Sequence, residues 1–189
     1  MDPRSYTAAD KTRDGTFIRI RAIRPDDSGR LAEVFTQLST ESIRARWSGL
    51  ESGLTAGRMV EEIGIDPDIH VGLVATVWIE GEEQVVGLAS YFVDQWSEPR
   101  RAEVAFIVLD EWQGRGIGSL LFAHLARIGL RLGIDVFYAL VSASNGRMIR
   151  IFERSGFSGE VEYDGAEAWV TLDLTGKGIV TPPAVAAYL

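Results

Sequence analysis

The chain has 189 residues, 46% hydrophobic and 24% charged, which is room for one domain with a real core and excludes a fibrous or disordered polymer. Nineteen Lys and Arg against 27 Asp and Glu give a net charge of −8. That argues against holding nucleic acid or an anionic membrane through a generally basic surface and favours basic or amine-bearing partners, while the lack of any cysteine excludes disulfides, thiolate metal sites and a Cys nucleophile.

Residues 1–14 are polar and without period, and read as a mobile arm ahead of one domain over 15–174 and a tail over 175–189. Residues 17–23 alternate apolar with polar or small, as a half-buried strand does. Pro25, Asp26 and Asp27 open a helix whose apolar face is Leu31, Val34, Phe35 and Leu38. Two short helices are expected at 41–47 and 55–63. Two β-rich runs, 71–80 and 84–94, flank Gly81, Glu82 and Glu83 as an antiparallel hairpin, and a third strand follows at 100–109. An amphipathic helix is predicted over 115–131, a strand over 135–141, a helix over 144–155, and a closing strand pair at 157–163 and 167–174. This order, with one β-α-β crossover, predicts an α+β fold on a central, mostly antiparallel sheet of about seven strands. No basic and apolar leader or bilayer-length apolar run occurs, so a cytoplasmic location is expected.

The informative segment is Gln113-Gly114-Arg115-Gly116-Ile117-Gly118-Ser119, between a strand and a helix. Glycines permit positive φ and close backbone approach, and the first N–H groups of the helix point to the same place, forming a cradle for an anion that Arg115 would assist. A Walker loop needs a Gly-Lys-Ser/Thr that is absent, and a dinucleotide fingerprint needs a different glycine spacing. A purely structural turn is the remaining alternative.

Gln113, Gly116 and Gly118, preceded by residues 102–109 and followed by a Leu-rich helix, resemble the acetyl-CoA motif of the GNAT N-acetyltransferase superfamily. Asn145, Met148, Ile149 and the run Phe152-Glu153-Arg154-Ser155-Gly156-Phe157 are similar to the family's next helix. Arg13-Asp14-Gly15-Thr16, residues 20–27 and residues 38–42 narrow the resemblance to the GNAT domains of bacterial Pat-type protein lysine acetyltransferases. Those are often joined to a cyclic-nucleotide-binding or acyl-CoA-synthetase-like region, which 189 residues leave no room for, so such regulation is expected to be absent or to act in trans. The resemblance implies a GNAT fold, splayed at the acetyl-CoA site, and a cofactor pyrophosphate on the backbone of Gln113, Gly114, Arg115, Gly116, Ile117, Gly118 and Ser119. It also implies a pantetheine arm on the open strand edge at Ile107, Val108 and Leu109, with an oxyanion-holding N–H near Ile107, and further cofactor contacts at Asn145 and Phe152.

Glu103, a carboxylate in an otherwise apolar strand, resembles the general-base glutamate that protein lysine acetyltransferases of this superfamily use on the equivalent strand; burial raises a carboxylate toward the range a base needs. The alternative is an ion pair with Arg100 or Arg101. Phe152 stands where many members place a Tyr that protonates the leaving thiolate, so the thiolate leaves unassisted or takes a proton from water. Asn145 could equally cap its helix. With no cysteine, the amine is expected to attack directly in a ternary complex. The acceptor implied is a lysine side chain of a protein, such as an acyl-CoA synthetase; a small-molecule amine is the alternative, and an acyl-CoA-binding regulator without turnover a third. No metal, nucleic acid or membrane partner is expected, and a homodimer is left open. His70 and His124 are isolated and read as structural. Acidic residues at 61–83 could steer a basic segment or simply be solvated. Lys11 and Lys177 are the chain's two lysines, a scarcity that suits either a GC-rich codon bias or an enzyme that modifies lysines.

Overall fold

The structure is a computed structural model that describes residues 2–40, 42, 66 and 68–176. The two short helices expected at 41–47 and 55–63 and most of the C-terminal tail, Lys177 included, lie outside the described residues.

Eight strands form one sheet: β1 (Thr7–Lys11), β2 (Phe17–Ala22), β3 (His70–Ile79), β4 (Glu82–Asp94), β5 (Arg101–Val108), β6 (Val136–Ser142), β7 (Ser158–Asp164) and β8 (Glu167–Asp173), in the order β1-β2-β3-β4-β5-β6-β8-β7. Every neighbouring pair is antiparallel except β5 and β6, which run parallel. Three α-helices are described: α1 (Ser28–Gln37), α2 (Ile117–Arg131) and α3 (Gly146–Glu153). The parallel step is bridged by α2, as a parallel crossover requires.

The sequence counts about seven strands; β1 is the one beyond that number. The polar first stretch is not a mobile arm. Residues 7–11 pair with β2 from Thr7↔Arg21 to Lys11↔Phe17, and Tyr6 and Thr12 are buried. The β3–β4 hairpin also turns earlier than expected. Glu80 and Gly81, both at positive φ, make a two-residue turn, and Glu82 and Glu83 already belong to β4. Positive φ at both central positions matches the twist of the flanking strands.

The sheet separates two apolar clusters. On one face α2 and α3 cover Val104, Phe106, Phe137, Ala139, Val141, Val170 and Leu172. On the other, Leu31, Val34 and Leu38, from α1 and its end, pack on Val74, Val85, Leu88, Ile107 and Leu109. Alternation along β5 therefore gives Glu103, Ala105 and Ile107 to the α1 face and Val104 and Phe106 to the α2 face. Arg21 ties the start of α1 to the β3–β4 turn: its fully buried guanidinium donates to Asp27 at 2.7 and 2.8 Å and to Glu83 at 3.1 Å. A buried cation requires such pairing.

Candidate active site

β5 pairs with β4 along its whole length, from Asp94↔Arg101 to Gly87↔Val108, but with β6 only at Arg101↔Val136, Ala102↔Phe137 and Glu103↔Tyr138. Beyond Glu103 the two parallel strands diverge. The register decides which backbone groups of β5 look into the gap. Leu109 N–H donates to Val86 O, on the β4 side, whereas Arg100 O accepts from Asp135 and Val136, on the β6 side. Backbone groups alternate sides along a strand, so those of Val104, Phe106 and Val108 face the gap, and those of Ile107 and Leu109 face β4. This corrects the expected edge. Of Ile107, Val108 and Leu109, only Val108 turns its backbone N–H and C=O toward the gap, and the N–H of Ile107, near which an oxyanion donor is expected, faces β4. Ile107 and Leu109 are buried against the α1 cluster.

At the wide end of the gap lies the glycine loop. Gly114 has φ +79° and Gly116 +92°, the left-handed region that costs other residues strain. Gly116 caps α2 without a side-chain hydrogen bond. Leu120 N–H bonds Gly116 O, but among the described residues no hydrogen bond takes the N–H groups of Gly114, Arg115, Gly116, Ile117, Gly118 or Ser119. Six successive donors without a described partner at a helix start have the arrangement an anion cradle requires. A side chain on Gly118 would lie 2.8 Å from Ile151 Cδ1, so glycine there brings α2 and α3 together beside the gap. Ile117 is buried against β4 at Gly87.

Gln113 does more than begin the motif. Its side-chain amide donates to Val108 O at 3.1 Å, to Asp110 at 2.8 Å and to Ser42 at 3.2 Å, and its carbonyl accepts from Arg147 of α3 at 2.5 Å. One side chain thus joins β5, the cradle and α3 across the mouth of the gap. Arg115, expected to face a phosphate, is turned elsewhere: it pairs with Asp14 at 3.3 Å, donates to Glu111 O at 3.2 Å and lies 4.5 Å from the Trp112 ring centroid.

Glu103 stands at the point of divergence. It is half-buried and makes no hydrogen bond or ion pair with a described residue. The expected alternative, pairing with Arg100 or Arg101, does not occur. Arg100 donates to Leu132 O and Asp68 O, and the Arg101 guanidinium sits 4.9 Å from the Tyr138 ring centroid. Tyr138 is the cross-strand neighbour of Glu103; burial, and then the Glu103 and Asp94 carboxylates, push its phenol above the ordinary value. Register places His70, Phe92, Glu103, Tyr138, Thr171 and Glu160 in one row on the α1 face, with the His70 and Phe92 rings stacked 3.4 Å apart.

Two residues expected to touch the cofactor make contacts within the scaffold. Asn145 Oδ1 accepts from Met148 N–H at 3.1 Å, the capping role that was its alternative. Phe152 is 1% exposed and packs edge-on and tilted against Phe122 and Phe106, at 5.7 and 5.9 Å between centroids, so its ring belongs to the core. Among the described helices, none is long and apolar enough to cross a membrane.

Residues 41–157, more than half of the chain, match the model of the acetyltransferase (GNAT) family. The chain is 28% identical over 151 residues to an acetyltransferase of Pseudomonas aeruginosa, with 80% of each chain covered. It is 31% identical over 147 residues to the acetyltransferase Pat of Mycolicibacterium smegmatis, a match that takes 77% of this chain but 43% of Pat, so the chain spans less than half the length of that relative. Among solved structures, the GNAT domain of S. lividans PAT is similar with a TM-score of 0.74 and 31% identity, covering 88% of this chain and 96% of that one. Mycobacterium smegmatis RimJ, solved with CoA-disulfide, shares the fold with a TM-score of 0.69 at 16% identity, covering 96% and 94%. A splayed parallel pair, a cradle of free amides and these likenesses converge: the chain belongs to the GNAT family and is an acetyl-CoA-dependent N-acetyltransferase.

Proposed function

We propose that the protein transfers the acetyl group to a lysine side chain presented by a basic segment of another protein. The observation that carries this reading is the surface leading to Glu103. On the α1 face of the sheet, β8 and β7 present Trp169, 45% exposed, with exposed Thr171, Glu160, Glu162 and Asp164, in continuity with Tyr138 and Glu103. A broad, acidic face with an aromatic side chain suits a cationic polypeptide. The likeness to Pat and to the GNAT domain of PAT supports the same substrate class.

Glu103 accepts the proton of the attacking ammonium and so supplies the neutral amine that attack requires. Its place at the divergence sets it beside the strand edge where Phe106 and Val108 offer the N–H groups that hold the thioester oxygen. The six amides from Gly114 to Ser119 and the start of α2 hold the pyrophosphate. Acetyl-CoA supplies the activated thioester. Phe152 carries no proton to give, and a thiolate is weakly basic enough to depart without one from α3. Glu103→Gln is expected to lower turnover at least a hundredfold while CoA affinity, measured by calorimetry, stays near that of the wild type; unchanged turnover refutes the role. Acetylation of a cell lysate followed by mass spectrometry tests the acceptor, and labelling confined to small molecules overturns the protein-lysine reading. An acetyl-enzyme adduct in intact mass spectra would contradict direct attack.

A further inference from the structure

The β1–β2 turn, more than a hundred residues from the glycine loop in sequence, is fastened against it. Arg13 N–H donates to Arg115 O at 2.9 Å, and Arg115 reaches back to Asp14. The turn is internally hydrogen-bonded: Gly15 N–H bonds Thr12 O at 3.0 Å, and Asp14 accepts from Thr16 N–H and from the Thr16 hydroxyl at 3.1 and 2.8 Å. The hydroxyls of Thr12 and Thr16 and the Thr16 amide hold the Asp14 carboxyl down at about 2. Asp14 is therefore an anion whose oxygens are committed to the turn and to Arg115.

That leaves Arg13. Its side chain crosses directly over Gly116: Cγ, Nε and Cδ lie 3.3, 3.4 and 3.6 Å from where a Cβ on Gly116 would be. Arg13 is exposed, and among the described residues its guanidinium has no carboxylate or carbonyl partner. An unpaired guanidinium beside six free amides adds a full positive charge to a cradle otherwise made of backbone dipoles, and its planar fork suits phosphate oxygens.

We propose that Arg13, not Arg115, is the side-chain cation that binds the phosphate groups of coenzyme A, and that Arg115 serves to fasten the β1–β2 turn to the loop. This rests on the reading of the loop as the CoA cradle. The test uses the full chain, titrated calorimetrically with CoA and with pantetheine, which lacks every phosphate. Arg13→Gln is expected to weaken CoA about tenfold or more, the loss of one charge-assisted hydrogen bond, and to narrow the preference for CoA over pantetheine by the same factor; Arg13→Lys should recover part of it. Arg115→Gln should lower the melting temperature and cost less CoA affinity than Arg13→Gln. CoA affinity retained in Arg13→Gln, or a greater loss in Arg115→Gln, overturns the assignment. A wild-type protein that does not prefer CoA to pantetheine would instead refute the cradle itself. Circular dichroism melts of each variant identify any loss that comes from unfolding, and in that case the Arg13→Lys comparison decides.

Discussion

Gly116→Ala separates what the glycine does for folding from what it does for the ligand. At φ +92° an L-residue carries roughly 1–2 kcal/mol of backbone strain. The new methyl would also meet Arg13 Cγ at 3.3 Å, but a long exposed side chain yields by a few tenths of an ångström at small cost, so strain dominates the stability change. For a chain of this size that corresponds to a fall in melting temperature of about 2–8 °C. Gly133→Ala supplies the matched control: φ there is +76°, nothing lies within 4 Å of the added carbon, and the residue sits just past the other end of α2. Both variants should therefore melt early by similar amounts. Only Gly116→Ala should lose CoA, because relaxing its φ turns the neighbouring amides away from a common point. Losing one such hydrogen bond to a charged group, at roughly 1.5–3 kcal/mol, weakens binding about ten- to a hundredfold. Differential scanning fluorimetry gives the first quantity and isothermal titration the second. Equal CoA affinity in the two alanine variants would refute the claim that the loop's conformation forms the binding site.

Two further outcomes follow from buried charge. Asp27→Asn leaves the Arg21 guanidinium, 1% exposed as a side chain, with only Glu83 as a charged partner, and should cost about 3–5 kcal/mol in chemical denaturation; a loss under 1 kcal/mol would refute a structural role for the pair. His124, fully buried in α2, lies between the Tyr6 hydroxyl at Nδ1 and Asp10 at Nε2, 2.7 Å away. Burial holds its pKa below the ordinary 6.5 despite Asp10, which acts in the opposite direction, and Arg127 adds to the lowering. Folding therefore favours the neutral ring: the stability linked to it is complete above 6.5 and is lost as pH falls through the lower folded-state value. Melting temperatures measured from pH 7.5 to 5 should decline more steeply in the wild type than in His124→Gln, and parallel curves would refute the linkage.

The elements that set the site were largely readable because each demands a residue type. The φ of +79° and +92° at Gly114 and Gly116 strongly favours glycine, and a lone Glu103 in an apolar strand is conspicuous. What could not be read depends on pairing across the fold. Thr7–Lys11 carries no apolar alternation, since an edge strand with alternating exposed and half-exposed positions needs none; only its register with β2 makes it a strand. Periodicity along β5 reveals which side chains are buried, but the direction of its backbone groups is set by β4, so the preference for Val108 over Ile107 was invisible. The sequence places Phe152 at a cofactor position, because its packing against Phe106 and Phe122 is a tertiary contact with no local signal. Arg13 falls in the expected polar arm and in a motif of the resemblance, but its place over Gly116 has no local signal because that neighbour is encoded about a hundred residues on.

The narrow join between β5 and β6 has a mechanical meaning. Five strands lie on one side of it and three on the other, and their strand register is three residue pairs long, extended by the bonds between Arg100 and Asp135 at the near end and the Gln113 to Arg147 link at the far end. A ligand laid along Val104–Val108 would add rungs where the sheet has none, acting as a removable length of strand. Its binding free energy would then be shared by both halves of the molecule. Amide exchange should slow on β6 and α3 as well as on β5 when CoA is added, so that a small donor molecule stiffens elements it scarcely touches.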